Sequence, residues 1–182
     1  MYSTRNDLAE ATRTKVIELL DTRLADATDL QTQLKQAHWN VKGPTFIALH
    51  ELFDKINEAV EDYVDDLAER VVQLGGIAHG TARQVAKRST LPEYPAVSVG
   101  RDHAEAVATA LAAFGRLARA AIDQSDALED RDTADIFTEM SRGIDKWLWF
   151  VAAVRLESHV RVEARDALRS GAGDEFLRGI QR

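Results

Sequence analysis

At 182 residues, 45% of them hydrophobic and only three of them proline, the chain is long enough to bury a substantial core, and its composition suits helices. It contains no cysteine, which excludes disulfides and thiolate-held metals, and its net charge of −7 sets the folded body against nucleic acid unless a local patch overrides it. Residues 1–10 are polar and lack the apolar stretch of a secretory leader, and no apolar run reaches membrane-spanning length, so a soluble cytoplasmic protein is expected.

A first helix is expected from Leu8 to Asn40, with Val16, Leu19, Leu20, Leu24, Ala27, Leu30 and Leu34 as its buried stripe. His38 lies near its end and Trp39 follows it; packing alone explains a large aromatic there. Gly43-Pro44 then turns the chain, because proline at a first helical position lacks only an N–H that would be orphaned anyway. From Thr45 to Leu74 apolar residues recur at helical intervals: Phe46, Leu49, Phe53, Ile56, Val60, Tyr63, Leu67, Val71 and Leu74. Gly75-Gly76 stops this second helix.

His50, Asp54, Asp65 and Glu69 all ride on the second helix, on an arc of about 100° beside its apolar stripe. Taken singly, such groups are ordinarily a solvated flank. Their joint spacing is less ordinary. His50 and Asp54 form one i,i+4 pair, Asp65 and Glu69 another, and the two pairs are centred on the same point between Ala59 and Val60. Asp54 and Asp65 are about 16 Å apart along the axis, whereas a metal–ligand bond is about 2 Å. One chain therefore cannot bring both pairs to one ion. Two copies crossing antiparallel about a two-fold axis near Ala59–Val60 can, and would hold two equivalent sites.

Between Gly75 and Gly100 the pattern loosens, with a short helix expected over Thr81–Lys87. A crossover of this length suits a four-helix bundle whose second and third long helices run parallel. The third helix is expected over Arg101–Ala127, through Val107, Leu111, Phe114, Leu117 and Ile122. The fourth is expected over Asp132–Ala167, with Trp147, Phe150, Val151 and Val154 lining the core. No Glu-x-x-His occurs anywhere, which argues against a di-metal site inside one bundle. His79, His103 and His159 lack comparable carboxylate spacing and are expected at the surface.

Asp123, Asp126, Glu129, Asp130, Asp132 and Asp135 crowd the junction of the third and fourth helices. They read as solvated charge and helix capping, or as a funnel that attracts cations. The termini carry no basic run: residues 1–15 hold three basic against two acidic groups, and residues 161–182 five against four. Phosphate contacts dominate nucleic-acid affinity, so DNA binding is expected to be weak or absent, with avidity in an oligomer the one route to it.

The run H-W-N-V-K-G (His38–Gly43), a histidine twelve residues after the first, an aspartate four later and D-x-x-x-E eleven beyond that resembles the Dps family of mini-ferritins. The similarity continues through D-T-A-D-I-F (Asp132–Phe137) and D-K-W-L-W-F (Asp145–Phe150) and covers most of the chain apart from its termini. The resemblance implies an all-α, ferritin-like four-helix bundle with a long crossover between the second and third helices. Residues 1–182 would be one domain, with a polar segment of about 1–7 and a tail of about 168–182. It also implies that His38, His50, Asp54, Asp65 and Glu69 form an iron-oxidising site between subunits, with Trp39 beside it. A three-fold pore admitting iron would involve Asp126, Asp130 and Asp135, of which Asp135 matches a pore position through D-T-A-D.

Carboxylates with imidazole suit Fe²⁺, although ligand type alone also admits Zn²⁺ or Mn²⁺. The function implied is ferroxidase: Fe(II) oxidised by hydrogen peroxide or O₂, and Fe(III) stored as mineral in a hollow dodecamer, which protects against oxidative stress. Two readings of other classes stand beside it. One is a nucleoid-associated, DNA-compacting protein with a secondary metal site; the other is a structural bundle whose acidic flank is plain surface.

Overall fold

The structure, a computed structural model, describes residues 2–97 and 99–169, and side chains as far as residue 154. The described residues contain five helices and no strand: α1 (Glu10–Asn40), α2 (Phe46–Gln73), the short α3 (Ala82–Arg88), α4 (Gly100–Ala127) and α5 (Arg131–Arg169). The long helices agree with the expected ones to within two residues. Residues 170–182 of the expected tail, with Arg178 and Arg182, lie outside the described residues.

α1 packs along α2 and α4 along α5, and the two pairs meet through α1 on α4 and α2 on α5. The apolar stripes form one core: Val16, Leu20, Leu30, Phe53, Ile56, Val60, Leu67, Leu111 and Phe114 are wholly buried, joined by Phe137, Ile144 and Val151 of α5. Trp147 and Val154 pack on its edge, and Leu117, expected in the core, is only part-buried.

Two helix ends show why the chain turns where it does. After α2 the chain enters a left-handed conformation at Gly75 (φ 91°), and the N–H groups of Gly75 and Gly76 donate to the carbonyls of Val72 and Val71. This is a Schellman closure, in which glycine carries no Cβ penalty. After α4 the same closure is made by Glu129 (φ 61°), whose N–H donates to Asp126 and is followed by Asp130 donating to Ser125. The N-terminal segment and the first turn of α1 add further donors to the carbonyls at the end of α2. The Tyr2 N–H donates to Gly75 O (2.9 Å), the Tyr2 hydroxyl to Val72 O, and the Arg13 guanidinium to Leu74 O (3.1 Å).

The crossover is tied to α1 by carboxylates. Asp21 accepts hydrogen bonds from the His79 backbone N–H (3.2 Å) and ring Nδ1 (2.7 Å), and pairs with Arg88 at 3.1 Å. Wholly buried Asp26 accepts from the Thr90 N–H (2.6 Å) and hydroxyl (3.0 Å) and lies 3.0 Å from the Arg23 Nε. Burial pushes the Asp26 carboxyl above the usual carboxylate range, against the lowering by Thr90 and Arg23.

His103 corrects the expectation of a surface histidine. It is 1% exposed, and its Nδ1 lies 2.7 Å from the hydroxyl of Tyr94 in the crossover. Burial lowers the imidazole's proton affinity and raises that of the Tyr94 hydroxyl, so the hydroxyl donates and the neutral ring accepts. The His159 side chain lies outside those described.

Candidate metal centre

The α1–α2 turn reverses the chain at Gly43 (φ 114°) and lays the end of α1 against the start of α2. His38 and His50 consequently face each other, their rings stacked with centroids 3.7 Å apart at an angle of 20°. The contact is reciprocal. The His38 Nδ1 lies 2.9 Å from the backbone oxygen of His50, and the His50 Nδ1 lies 2.9 Å from the backbone oxygen of His38. A carbonyl can only accept, so each Nδ1 carries a proton, and in the neutral tautomer this selects, Nε2 is the atom with the lone pair. Backbone contacts of this kind fix the tautomer and orientation that metal ligation needs.

Asp54 stands one turn further along α2. Its Oδ1 is 3.9 Å from the His38 Nδ1 and accepts a 2.6 Å charge-assisted hydrogen bond from the Lys35 ammonium on α1. That hydrogen bond, outweighing slight burial, holds the Asp54 carboxyl below the usual carboxylate range. Phe46 was expected in the buried stripe, but it is 38% exposed and lies over the His50 ring at 5.0 Å. It begins α2, where no facing helix covers it. Trp39 is 68% exposed. Beside it an open cavity of about 650 Å³ is bordered by Lys35, Gln36, Asn57, Glu61 and Tyr94.

Asp65 and Glu69 are exposed further along α2. Among the described residues no three histidine or carboxylate groups stand close enough to hold a metal ion within one chain. The structure therefore brings His38, His50 and Asp54 to one end of the α1–α2 hairpin and leaves Asp65 and Glu69 apart from them. Lys35 was not singled out from the sequence. Its signal was its position one turn before His38, which the hairpin sets across from Asp54 one turn after His50.

At the α4–α5 junction the expected pore residues divide. Asp126 and Asp135 are exposed. Asp130 is 3% exposed, pairs with Arg70 at 2.8 Å, and accepts from both the N–H (3.1 Å) and the hydroxyl (2.6 Å) of Thr133 in the first turn of α5. Within the chain its charge is paired with Arg70, and the residue caps α5.

Residues 17–157 match the family model described as Ferritin-like domain. The chain is 44% identical over 161 residues to a DNA protection during starvation protein of Agrobacterium fabrum, covering 88% of this chain and 96% of that one. A protein of the same name from Mycolicibacterium smegmatis is 36% identical over 157 residues, covering 83% and 82% of the two chains. Among solved structures, the tetragonal form of Mycobacterium smegmatis Dps superposes with a TM-score of 0.79 at 31% identity, covering 84% of this chain and 93% of the other. No described helix is long and apolar enough to cross a membrane. Matching sequence and helical architecture together establish that the chain belongs to the Dps family of ferritin-like proteins.

Proposed function

We propose that this protein oxidises Fe²⁺ at sites shared between two subunits and stores the product. The observation that carries the proposal is the mutual clamp of His38 and His50, which engages both Nδ1 atoms with backbone and leaves both Nε2 atoms as the candidate metal ligands at one hairpin end. In this reading His38 and His50, with Asp54, come from one subunit, and Asp65 and Glu69 come from its two-fold mate. Two Fe²⁺ ions each give one electron to hydrogen peroxide, whose O–O bond breaks to give two hydroxide ions and two Fe³⁺. Dioxygen is the alternative oxidant, and Zn²⁺ or Mn²⁺ compete for the same ligands. The Fe³⁺ enters a mineral inside a cytoplasmic dodecamer of about 240 kDa, from chains of 20.2 kDa. Removing Fe²⁺ and peroxide together suppresses hydroxyl-radical formation. Exposed Asp126 and Asp135 line the route by which iron enters.

Anaerobic Fe²⁺ titration followed by peroxide, with Fe³⁺ absorbance and light scattering as readouts, tests this reading. Rapid stoichiometric oxidation in a particle of the stated mass is expected. A monomer, or no Fe²⁺ binding, overturns it and returns the acidic flank to plain surface. DNA compaction at the nucleoid is the second reading, favoured by the name that the relatives carry.

A further inference from the structure

We infer that the first turn of α4 is the seat on which the two-histidine clamp is aligned, with His103 as its positioning residue. Together they fix how the end of α1 meets the start of α2, and so whether His38 and His50 reach each other. The inference rests on the proposed shared site and concerns what holds its histidines in place.

The clamp is demanding. Each ring reaches the other residue's backbone oxygen at 2.9 Å, so both contacts depend on the register across the α1–α2 turn. The outer side of that turn has no support within the described residues: Lys42, Gly43 and Pro44 are exposed, and nothing lies within 4 Å of where a Cβ on Gly43 would stand. Its inner side rests on α4. The Gly100 N–H donates to the Lys42 carbonyl at 3.0 Å. A Cβ at Gly100 would stand 3.0 Å from that oxygen and 3.1 Å from Cδ1 of Leu49, the residue before His50.

His103 follows on the same turn of α4 and is buried against the end of α1. Burial lowers the ring's proton affinity, and a hydrogen bond toward the backbone of Asn40, two residues past His38, opposes that effect. The Tyr94 hydroxyl, 2.7 Å from Nδ1, settles the tautomer: Nδ1 accepts, so the proton sits on Nε2. Tyr94 is itself held beside α1, where Gln33 Nε2 donates to the Pro92 carbonyl at 3.0 Å. The crossover, α4 and α1 thus meet at one ring. Yet Nε2 has no partner at full hydrogen-bond geometry. A buried donor left short of its acceptor costs stability, so an apolar side chain would serve the fold as well. What the imidazole adds is a directed contact with the end of the helix that carries His38.

Co²⁺, which stays divalent in anaerobic buffer, is the probe, titrated into the assembled protein by calorimetry and visible absorption. In His103→Leu and in Tyr94→Phe its dissociation constant should rise about tenfold or more, the scale on which residues behind metal ligands act on affinity. The Co²⁺ absorption band should shift with it. Gly100→Ala, which alters no functional group, should do the same by pushing Lys42 and Leu49 outward. Phe137→Leu, a core change at the other end of the α4–α5 pair, should lower the denaturation midpoint and leave the Co²⁺ constant alone. Amide exchange across residues 37–46 of the metal-free particle should quicken in the first three variants and not in the fourth. Either an unchanged constant or unchanged exchange in both His103→Leu and Tyr94→Phe overturns the inference while leaving the site intact. A matching loss of affinity in Phe137→Leu would reduce the effect to stability and overturn it too. No tight Co²⁺ in the wild type overturns the shared site, and the inference with it.

Discussion

His38 and His50 hold each other's rings through each other's backbone, two N–H···O contacts of 2.9 Å closing one small loop across the α1–α2 turn. Loss of either imidazole therefore frees the facing carbonyl and takes away the ring stacked on the remaining one, which keeps its own N–H···O contact. His38→Ala and His50→Ala should each remove far more than half of the rapid oxidation, and the double variant should lose little beyond either single one.

Partition of the ligands between subunits gives a second expectation. His50→Ala and Asp65→Ala should each abolish rapid Fe²⁺ oxidation alone, yet co-assembled they should recover roughly a quarter of the sites. A random mixture makes half its dimers mixed, and each mixed dimer holds one intact site. His50→Ala mixed with His38→Ala should recover nothing. Stopped-flow Fe³⁺ absorbance on particles of verified composition measures both. Activity from the second mixture would refute the partition.

Arg70 and Asp130 are 6% and 3% exposed and join the end of α2 to the start of α5, with Arg70 Nε also donating to Thr133 at 3.0 Å. Arg70→Met should cost about 3–5 kcal/mol, because it strands a buried carboxylate. Adding Asp130→Asn to it should recover part of that loss, seen as a denaturation midpoint that moves back toward the wild type.

His103 supplies a pH dependence. Its folded pKa is depressed from 6.5 by burial, so the unfolded chain takes up the proton first and stability is lost as pH falls below 6.5 toward the depressed value. His103→Phe removes that contribution. Midpoints measured between about pH 7 and pH 5 should fall more steeply for the wild type than for the variant.

DNA binding should be absent at physiological salt. Tyr2 and Arg13 are tied to the carbonyls that end α2, so these residues form no free basic arm, and the body is acidic. A duplex shift that persists in gels at about 0.15 M salt would contradict this.

Periodicity placed the helices because their stripes are nearly unbroken, and Gly75-Gly76 ended α2 because only a left-handed residue closes that turn cheaply. His38 and His50 could be brought together on paper because a turn at Gly43-Pro44 reflects one onto the other. The same reflection sets Lys35 against Asp54, but it acts only once the hairpin register is known. His103 was misjudged although it stands four residues before Val107 and seven before Ala110, on the buried face of α4. A polar side chain there needs a tertiary partner, and Tyr94 comes from an irregular segment that periodicity does not describe. The burial of Asp130 was illegible for the opposite reason. A run of acids looks uniform in one dimension, and Arg70, sixty residues earlier, selects one of them.

Glu129 closes α4 in a conformation that glycine adopts freely and that costs other residues about 1–2 kcal/mol. Glu129→Gly is thus an available route to a more heat-resistant protein, and it comes at the expense of one acidic side chain between Asp126 and Asp135. The exchange trades one negative charge at the α4–α5 junction for a relaxed backbone.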